Sequence, residues 1–419
     1  MSRETHDNWL MTAEHMGLGV PGDPADLDTP AWRGYDVLTH TPPDKRWTDE
    51  LHRRSIRSMP YLTLCYQYIG NDSAGWDAGG TPDCVIIDQL GRPQLHPNYL
   101  RHDGKLVYEI CPNVRKVRDM YLERAEALMK SGADGLFLDN AASMSKCWGP
   151  EFGKHRHIHA GDPKARAAGH LGFCYPKAAR RYRLAIPVSD EEQTYASAML
   201  IREIREMVRS FGADKRIMLN GGDGSCLPPI FYENCDSVMD EMFIYATYLD
   251  YNLPTPTHMD FQDHTPLDWL NVLAWQEQFA ERGVRMNTFP SFSSHDPARR
   301  RHAVFAFCAA KLYDALPCTS ADVAVDAWLR DIRLGRPLSS APGSWGAVFF
   351  REYEGGLAAV NPFGVAQQVT APWTGKPARI AAHGDARGYG YETIEADTKA
   401  GTVTFKLMPD QSALLIPAR

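Results

Sequence analysis

The stretch Asp134-Gly-Leu-Phe-Leu-Asp-Asn140 decides the fold class of this chain. A helix-like run, residues 118–130, precedes it and turns through Ser131-Gly132-Ala133 into five residues that stay apolar until they end on a carboxylate and an amide. A helix feeding a short apolar strand is the repeating unit of a parallel sheet, whose strands are buried on both faces. A carboxylate at the carboxyl end of such a strand costs desolvation, and α/β barrels set their reacting groups at that end. Alternation along the strand puts Phe137 and Asp139 on one face and turns Leu136 and Leu138 toward the helices.

Working outward, similar strand-like runs are expected at 36–40, 61–66, 106–111, 135–139, 216–220, 237–243, 284–289 and, more weakly, 313–319. Helix-like runs at 195–210, 267–281 and 297–312 separate the later ones. Eight strands alternating with helices predict an α/β fold, a (β/α)8 TIM barrel over residues 1–335. A doubly wound open sheet is the alternative, but no glycine-rich dinucleotide turn follows an early strand. After Gly335-Arg-Pro337 the pattern changes to short strands and turns, which predicts a small antiparallel β-sandwich at 336–419.

Composition sets wide limits. The chain has 419 residues, 44% hydrophobic and 23% charged, enough for a large barrel and one small domain. A net charge of −7 gives no general reason to expect nucleic acid or a membrane as partner. Residues 1–9 are polar and acidic, with no apolar segment typical of a signal peptide, and no stretch has the length of a membrane span. Nine cysteines without a CxxC pair point to reduced thiols and a cytoplasmic location. Cys65, Cys111, Cys308 and Cys318 sit in apolar surroundings and read as core.

Three expected strands end on polar residues that a core would not choose: Asp139-Asn140, Asn220-Gly221-Gly222 and Asp240-Glu241. Carboxylates on the fourth and sixth strands would face each other across a barrel mouth. Glycoside hydrolysis needs such a pair, one to protonate the leaving oxygen and one to attack carbon or activate water. Asp240 and Glu241 point to opposite faces, so one of them serves, and Glu241 has the longer reach. A plain structural role for Asp139 is the competing reading.

These residues resemble a known family. Gly132-Ala-Asp-Gly-Leu-Phe-Leu-Asp-Asn140, followed by strands ending at Asn220 and Glu241, is similar to glycoside hydrolases related to the polygalactosaminidase and α-amylase-type barrels. Leu334-Gly-Arg-Pro-Leu338 and Arg351-Glu-Tyr-Glu-Gly-Gly-Leu-Ala-Ala-Val-Asn-Pro362 look like the start of the β-sandwich behind such barrels. The resemblance spans most of residues 106–419. It implies a retaining mechanism with Asp139 as nucleophile, Glu241 as acid/base, and no cofactor.

The long segment 141–193 departs from that pattern and reads as a lid or pocket wall. Lys146, Lys154, Arg156, Lys164, Arg166, Lys177, Arg180, Arg181 and Arg183 make it basic against Glu151 and Asp162, suggesting an anionic glycoside, a solvated surface or a subunit contact in a homo-oligomer. Candidate substrate contacts are Asn140, Asn220, Asp240, Tyr66, His40, Arg156, His157 and His159. His155-Arg-His-Ile-His159 has metal-like alternation, but three close histidines without a visible supporting shell read as polar loop, so no metal is assigned. Two other functions stay open: a non-catalytic carbohydrate-binding barrel, and a metal-dependent lyase or hydrolase using His155, His157 and His159.

Overall fold

In the computed structural model, Gly135–Asp139 is a strand running parallel to Tyr61–Thr63 on one side and to Arg216–Asn220 on the other. Leu136, Phe137 and Leu138 are each at most 1% exposed, as a central strand covered on both faces requires. Its first residue has to be glycine, because a Cβ there would stand 2.0 Å from the carbonyl oxygen of Arg216. The structure describes residues 9–417 except 65, 69–82, 96–100, 103–104, 141–144, 169–189, 221–228, 241–244, 250–257, 263–275, 278, 290–298, 321–323, 363–364, 374–377, 386–396, 400 and 410.

The chain divides into two units, one of residues 1–10, 39–240 and 248–259, the other of residues 11–38, 241–247 and 260–419. In the first, Ser237–Asp240 extends the parallel run beyond Arg216–Asn220. Helices Arg115–Met129 and Glu191–Ser210 lead into the strands. The second of these is capped by Asp190, whose side chain accepts the backbone N–H of Gln193, and Glu191 and Glu192 favour its positive end. One expected barrel strand is corrected here. Lys105–Glu109 lies in a separate antiparallel sheet between Tyr66–Tyr68 and Arg101–His102, while Tyr61–Thr63 pairs directly with Gly135–Asp139. A short apolar run reads alike in either kind of sheet, so its pairing was not visible in the pattern.

In the second unit, Met16–Leu18 runs parallel to Leu316–Ser320, which runs parallel to Arg285–Thr288. Met16–Leu18 was not expected; three residues are too short to show alternation. One strand is therefore lost and one gained. In chain order the strands are Met16–Leu18, Val37–Thr39, 57–63 (interrupted at Pro60), Gly135–Asp139, Arg216–Asn220, Ser237–Asp240, Arg285–Thr288 and Leu316–Ser320. Asp139 still ends the fourth, in the strand succession of a (β/α)8 barrel.

The same unit carries two antiparallel sheets at the C-terminal end of the chain. One orders Gly343–Trp345, Val348–Tyr353, Gly356–Asn361, Gln411–Pro417 and Ala378–Asp385; the other orders Gln367–Pro372, Thr402–Leu407 and Asp397–Lys399. Their inner residues, among them Val348, Leu357, Val369, Phe405 and Leu415, form one core. Period-two burial is visible at Val403, Phe405 and Leu407, with Lys406 exposed. Arg351 donates to the carbonyl of Leu312 at 3.0 Å and the Tyr353 hydroxyl to that of Lys311 at 2.5 Å, covering the carbonyl end of helix Arg299–Lys311. Among the described residues no helix is long and apolar enough to cross a membrane.

Candidate functional site

Among the described residues, four hydrogen bonds hold the Asp139 carboxyl. Its Oδ2 accepts from the Tyr61 hydroxyl at 2.6 Å and from Asn140 Nδ2 at 2.9 Å. Its Oδ1 accepts from the backbone N–H of Asn140 and from Asn220 Nδ2, both at 2.8 Å. Register explains the convergence. Tyr61 lies opposite Phe137, with ring centroids 6.2 Å apart, so its phenol reaches the next residue on that face, Asp139. Asn220 ends the neighbouring strand. Asn140 has φ of 49°, a left-handed conformation that asparagine tolerates, and folds its amide back onto Asp139.

Every one of these donors is neutral. Burial pushes the Asp139 carboxyl above its ordinary value, and the donated hydrogen bonds from Tyr61, Asn140 and Asn220 pull the other way without cancelling it. The result is a carboxyl fixed in orientation by neutral donors, with no cation paired to it among the described residues. That suits a group that must attack carbon or exchange a proton, because its charge is not already neutralised by an ion pair.

His40 stands beside this group. Its ring stacks on Tyr61 at 4.6 Å and tilts against Phe137 at 5.1 Å, while Nδ1 meets the Thr39 hydroxyl at 3.0 Å. Burial lowers its pKa to about 4, which keeps the imidazole neutral at neutral pH. Asn140 and Asn220 thus meet Asp139 directly, and His40 borders it through Tyr61. Asp240 ends Ser237–Asp240 and is buried. Glu241 lies outside the described residues, and with it the separation of the expected carboxylate pair and the expected split of their pKa values. Tyr66 sits in the antiparallel sheet, in register with Glu109. Tyr61 was missed as a site residue; its inward register two residues from the strand end was the available signal.

The segment after Asp139 supplies a different cluster. Cys147 Sγ lies 3.2 Å from His155 Nε2, and Cys111 Sγ lies 3.6 Å from His157 Nε2. One donor atom from each of these four residues lies within 4.8 Å of all the others. His157 Nδ1 meets Glu192 Oε1 at 2.6 Å, and Glu192 also accepts from Asn113 Nδ2 at 2.8 Å. Burial pulls His157 down, but hydrogen bonds to Cys147 and Glu192 raise it to about 9. Hydrogen bonding from Cys111, with His155 and His157 also contributing, holds the Cys147 thiol far below its usual value, whereas burial pushes Cys111 up. His159 stays apart, its ring edge-on to Tyr195 at 5.0 Å. Arg156 is exposed, as are Lys146, Lys154 and Lys164, and Lys146 lies over the Trp148 ring at 3.8 Å. Cys111 is buried as a core residue would be, yet its sulfur faces polar atoms. Cys147 belongs to no short cysteine motif, so the sequence alone does not mark it as a ligand.

No protein-family model matches the chain, and no curated protein does. Solved structures do. Trehalose-6-phosphate hydrolase from Bacillus licheniformis aligns over 98% of this chain and 100% of its own, with 12% identity and a TM-score of 0.53. Amy13B from Eubacterium rectale aligns over 98% and 96%, with 11% identity and a TM-score of 0.52. An α-amylase from Anoxybacillus aligns over 98% and 99%, with 11% identity and a TM-score of 0.50. The chain has the fold of these α-amylase-type barrels, and at such identities the likeness is one of fold.

Proposed function

We propose that this chain is a glycoside hydrolase that cleaves a glycosidic bond with paired carboxylates and retention of configuration, Asp139 attacking the anomeric carbon and Glu241 acting as acid and then base. The observation that carries this reading is the environment of Asp139: a buried carboxyl at the end of the fourth strand, oriented by Tyr61, Asn140 and Asn220 and, among the described residues, without a cationic partner. Solved structures of the same fold that carry hydrolase and amylase names are in keeping with it. Asp139 Oδ2 or Oδ1 would form the bond to carbon as the glycosidic bond breaks, with the proton on Glu241 going to the leaving oxygen. Water would then release the sugar, giving its proton back to Glu241. In this reading residues 1–335 form the catalytic barrel and 336–419 its C-terminal companion, and Asn140, Asn220 and Asp240 contact sugar hydroxyls.

An anionic substrate would require cations of the 141–193 segment to face Asp139. Lys146, Lys154, Arg156 and Lys164 are exposed, and Arg180, Arg181 and Arg183 lie outside the described residues. A lyase or hydrolase built on His155, His157 and His159 is disfavoured, because His159 packs on Tyr195 away from the other two. The reading is tested with a panel of aryl glycosides carrying good leaving groups. Glu241→Gln should retain turnover on them and lose it on natural glycosides, whereas Asp139→Asn should lose both. Binding of sugars without turnover by the unaltered chain would instead favour a non-catalytic carbohydrate-binding barrel.

A further inference from the structure

We infer that Cys111, Cys147, His155 and His157 form a structural zinc site that ties the segment after Asp139 to the rest of its unit. The donor set is the first argument. Two sulfurs and two imidazole nitrogens, one from each residue, converge within 4.8 Å of one another. Tetrahedral zinc, with Zn–S near 2.3 Å and Zn–N near 2.0 Å, needs neighbouring donors about 3.3 to 3.8 Å apart. The 3.6 Å separation of Cys111 and His157 lies at that spacing, and the 3.2 Å separation of Cys147 and His155 falls just short of it. Mixed sulfur and nitrogen donors select zinc over magnesium or calcium, which take oxygen.

The surrounding shell is the second argument, and it is independent of the first. A ligating histidine usually gives its other ring nitrogen to a carboxylate, which fixes the tautomer and the ring plane. His157 does this: Nε2 faces Cys111 while Nδ1 meets Glu192 Oε1 at 2.6 Å. Glu192 is in turn oriented by Asn113. The backbone N–H of Ile87 donates to Cys147 Sγ at 3.4 Å, a contact that suits a thiolate. Room for the second imidazole is also specified. A Cβ on Gly149 would stand 2.1 Å from His155 Nε2, so a glycine at 149 is what lets that ring reach the sulfurs.

Four protein donors leave no open coordination position, and both sulfurs are buried. The site is therefore closed and structural, with no place for a reacting water. It joins three stretches distant in sequence: residue 111 just after strand Lys105–Glu109, the loop from Cys147 to His157, and, through Glu192, the first turn of helix Glu191–Ser210. It pins the stretch from Cys147 to His157 and, through Glu192, the start of helix Glu191–Ser210.

The test reads metal, independently of any glycosidase activity. Full-length protein produced with zinc chloride in the medium and passed through gel filtration should carry one zinc per chain by elemental analysis. Cys111→Ser, Cys147→Ser and Gly149→Ala should each lose it, and chelation should lower Tm and open the 141–193 segment to protease. If the serine variants fail to fold, cobalt(II) exchanged into the unaltered protein provides the second reading. Intense visible bands of tetrahedral cobalt with a near-ultraviolet thiolate charge-transfer band are expected. Metal-free protein of unchanged stability, zinc retained in the cysteine variants, an octahedral cobalt spectrum, or a Cys111–Cys147 disulfide in place of metal would each overturn the assignment.

Discussion

Asp134 and Asp139 lie five residues apart at the two ends of one apolar segment, and both are drawn into the protein, yet they meet opposite surroundings. Asp134 precedes the strand and is 1% exposed. It accepts from the backbone N–H of Ser58 and pairs with His52 at 2.7 Å, Arg57 at 3.0 Å and Lys215 at 3.4 Å. Burial pushes its pKa up, but Ser58, His52 and Lys215 more than offset this and leave it below the ordinary value. Asp139 has donors of similar number but, among the described residues, no cation, and its pKa is raised. Burial alone therefore does not mark a functional acid. What separates the clamp at Asp134 from the proposed reactive group at Asp139 is whether the compensation comes as charge or as neutral hydrogen bonds.

The largest expected effect follows from this contrast. Asp139→Asn should lower kcat on activated and natural glycosides by on the order of 10⁴-fold or more, the scale of losing a nucleophile, while the protein still folds. Retained activity in that variant would end the assignment. Asp134→Asn should do the reverse. It leaves Arg57 and Lys215 without their anion, and since these cations are partly exposed and can rehydrate, the loss should be about 2–3 kcal/mol in denaturant unfolding. Its kcat per folded molecule should be unchanged; a specific loss of kcat would mean that the two ends of the strand are not functionally distinct.

A finer probe is Tyr61→Phe. Removing a hydrogen bond to a charged group should reduce kcat/KM by about 10- to 100-fold and move the acid limb of the pH profile upward, because Asp139 loses a donor that lowers its pKa. An unshifted acid limb would show that Tyr61 does not tune this carboxyl. The smallest expected effect is the pH dependence of stability. Asp134, with its folded pKa depressed, contributes stability above the unfolded carboxyl pKa of about 4 that is lost as pH falls through its folded value. Asp139, with its folded pKa raised, opposes folding once pH rises through that window. Asp134→Asn should thus lower Tm at neutral pH and Asp139→Asn raise it, and both differences should shrink toward low pH. Melts of the two variants from neutral pH to pH 3 provide the measurement, and shifts of the same sign would break the contrast.

Much of this was legible in the sequence, for reasons that can be located. Gly135–Asp139, Arg216–Asn220 and the helix leading into the latter read clearly because apolar runs of five residues and a long amphipathic helix carry strong periodic signals. Asp139 stood out because charge at a buried strand end is costly. Lys105–Glu109 was assigned to the wrong sheet, since periodicity says nothing about which strand lies alongside. Met16–Leu18 was invisible for lack of length. Tyr61 looked like any aromatic strand residue until the register with Phe137 was known. The Cys/His cluster was half visible. The histidine alternation shows in the sequence, but the sulfurs come from positions 111 and 147, which only the fold brings together, and the third histidine of the run packs on Tyr195.

The hydrogen bonds from Arg351 and Tyr353 to the carbonyls of Leu312 and Lys311 bear on modularity. The change in sequence character near residue 335 invites a cut there, as though the last strands were an accessory that evolution or an engineer could exchange. Yet those strands supply the terminal partners of helix Arg299–Lys311, and the same packing unit contains both. A chain ended at that point would strand two buried carbonyl groups and bare an apolar helix face, so helix Arg299–Lys311 and the C-terminal sheets form one structural piece. Recombination that replaced the sheets would have to bring a substitute arginine and tyrosine to the same two carbonyls.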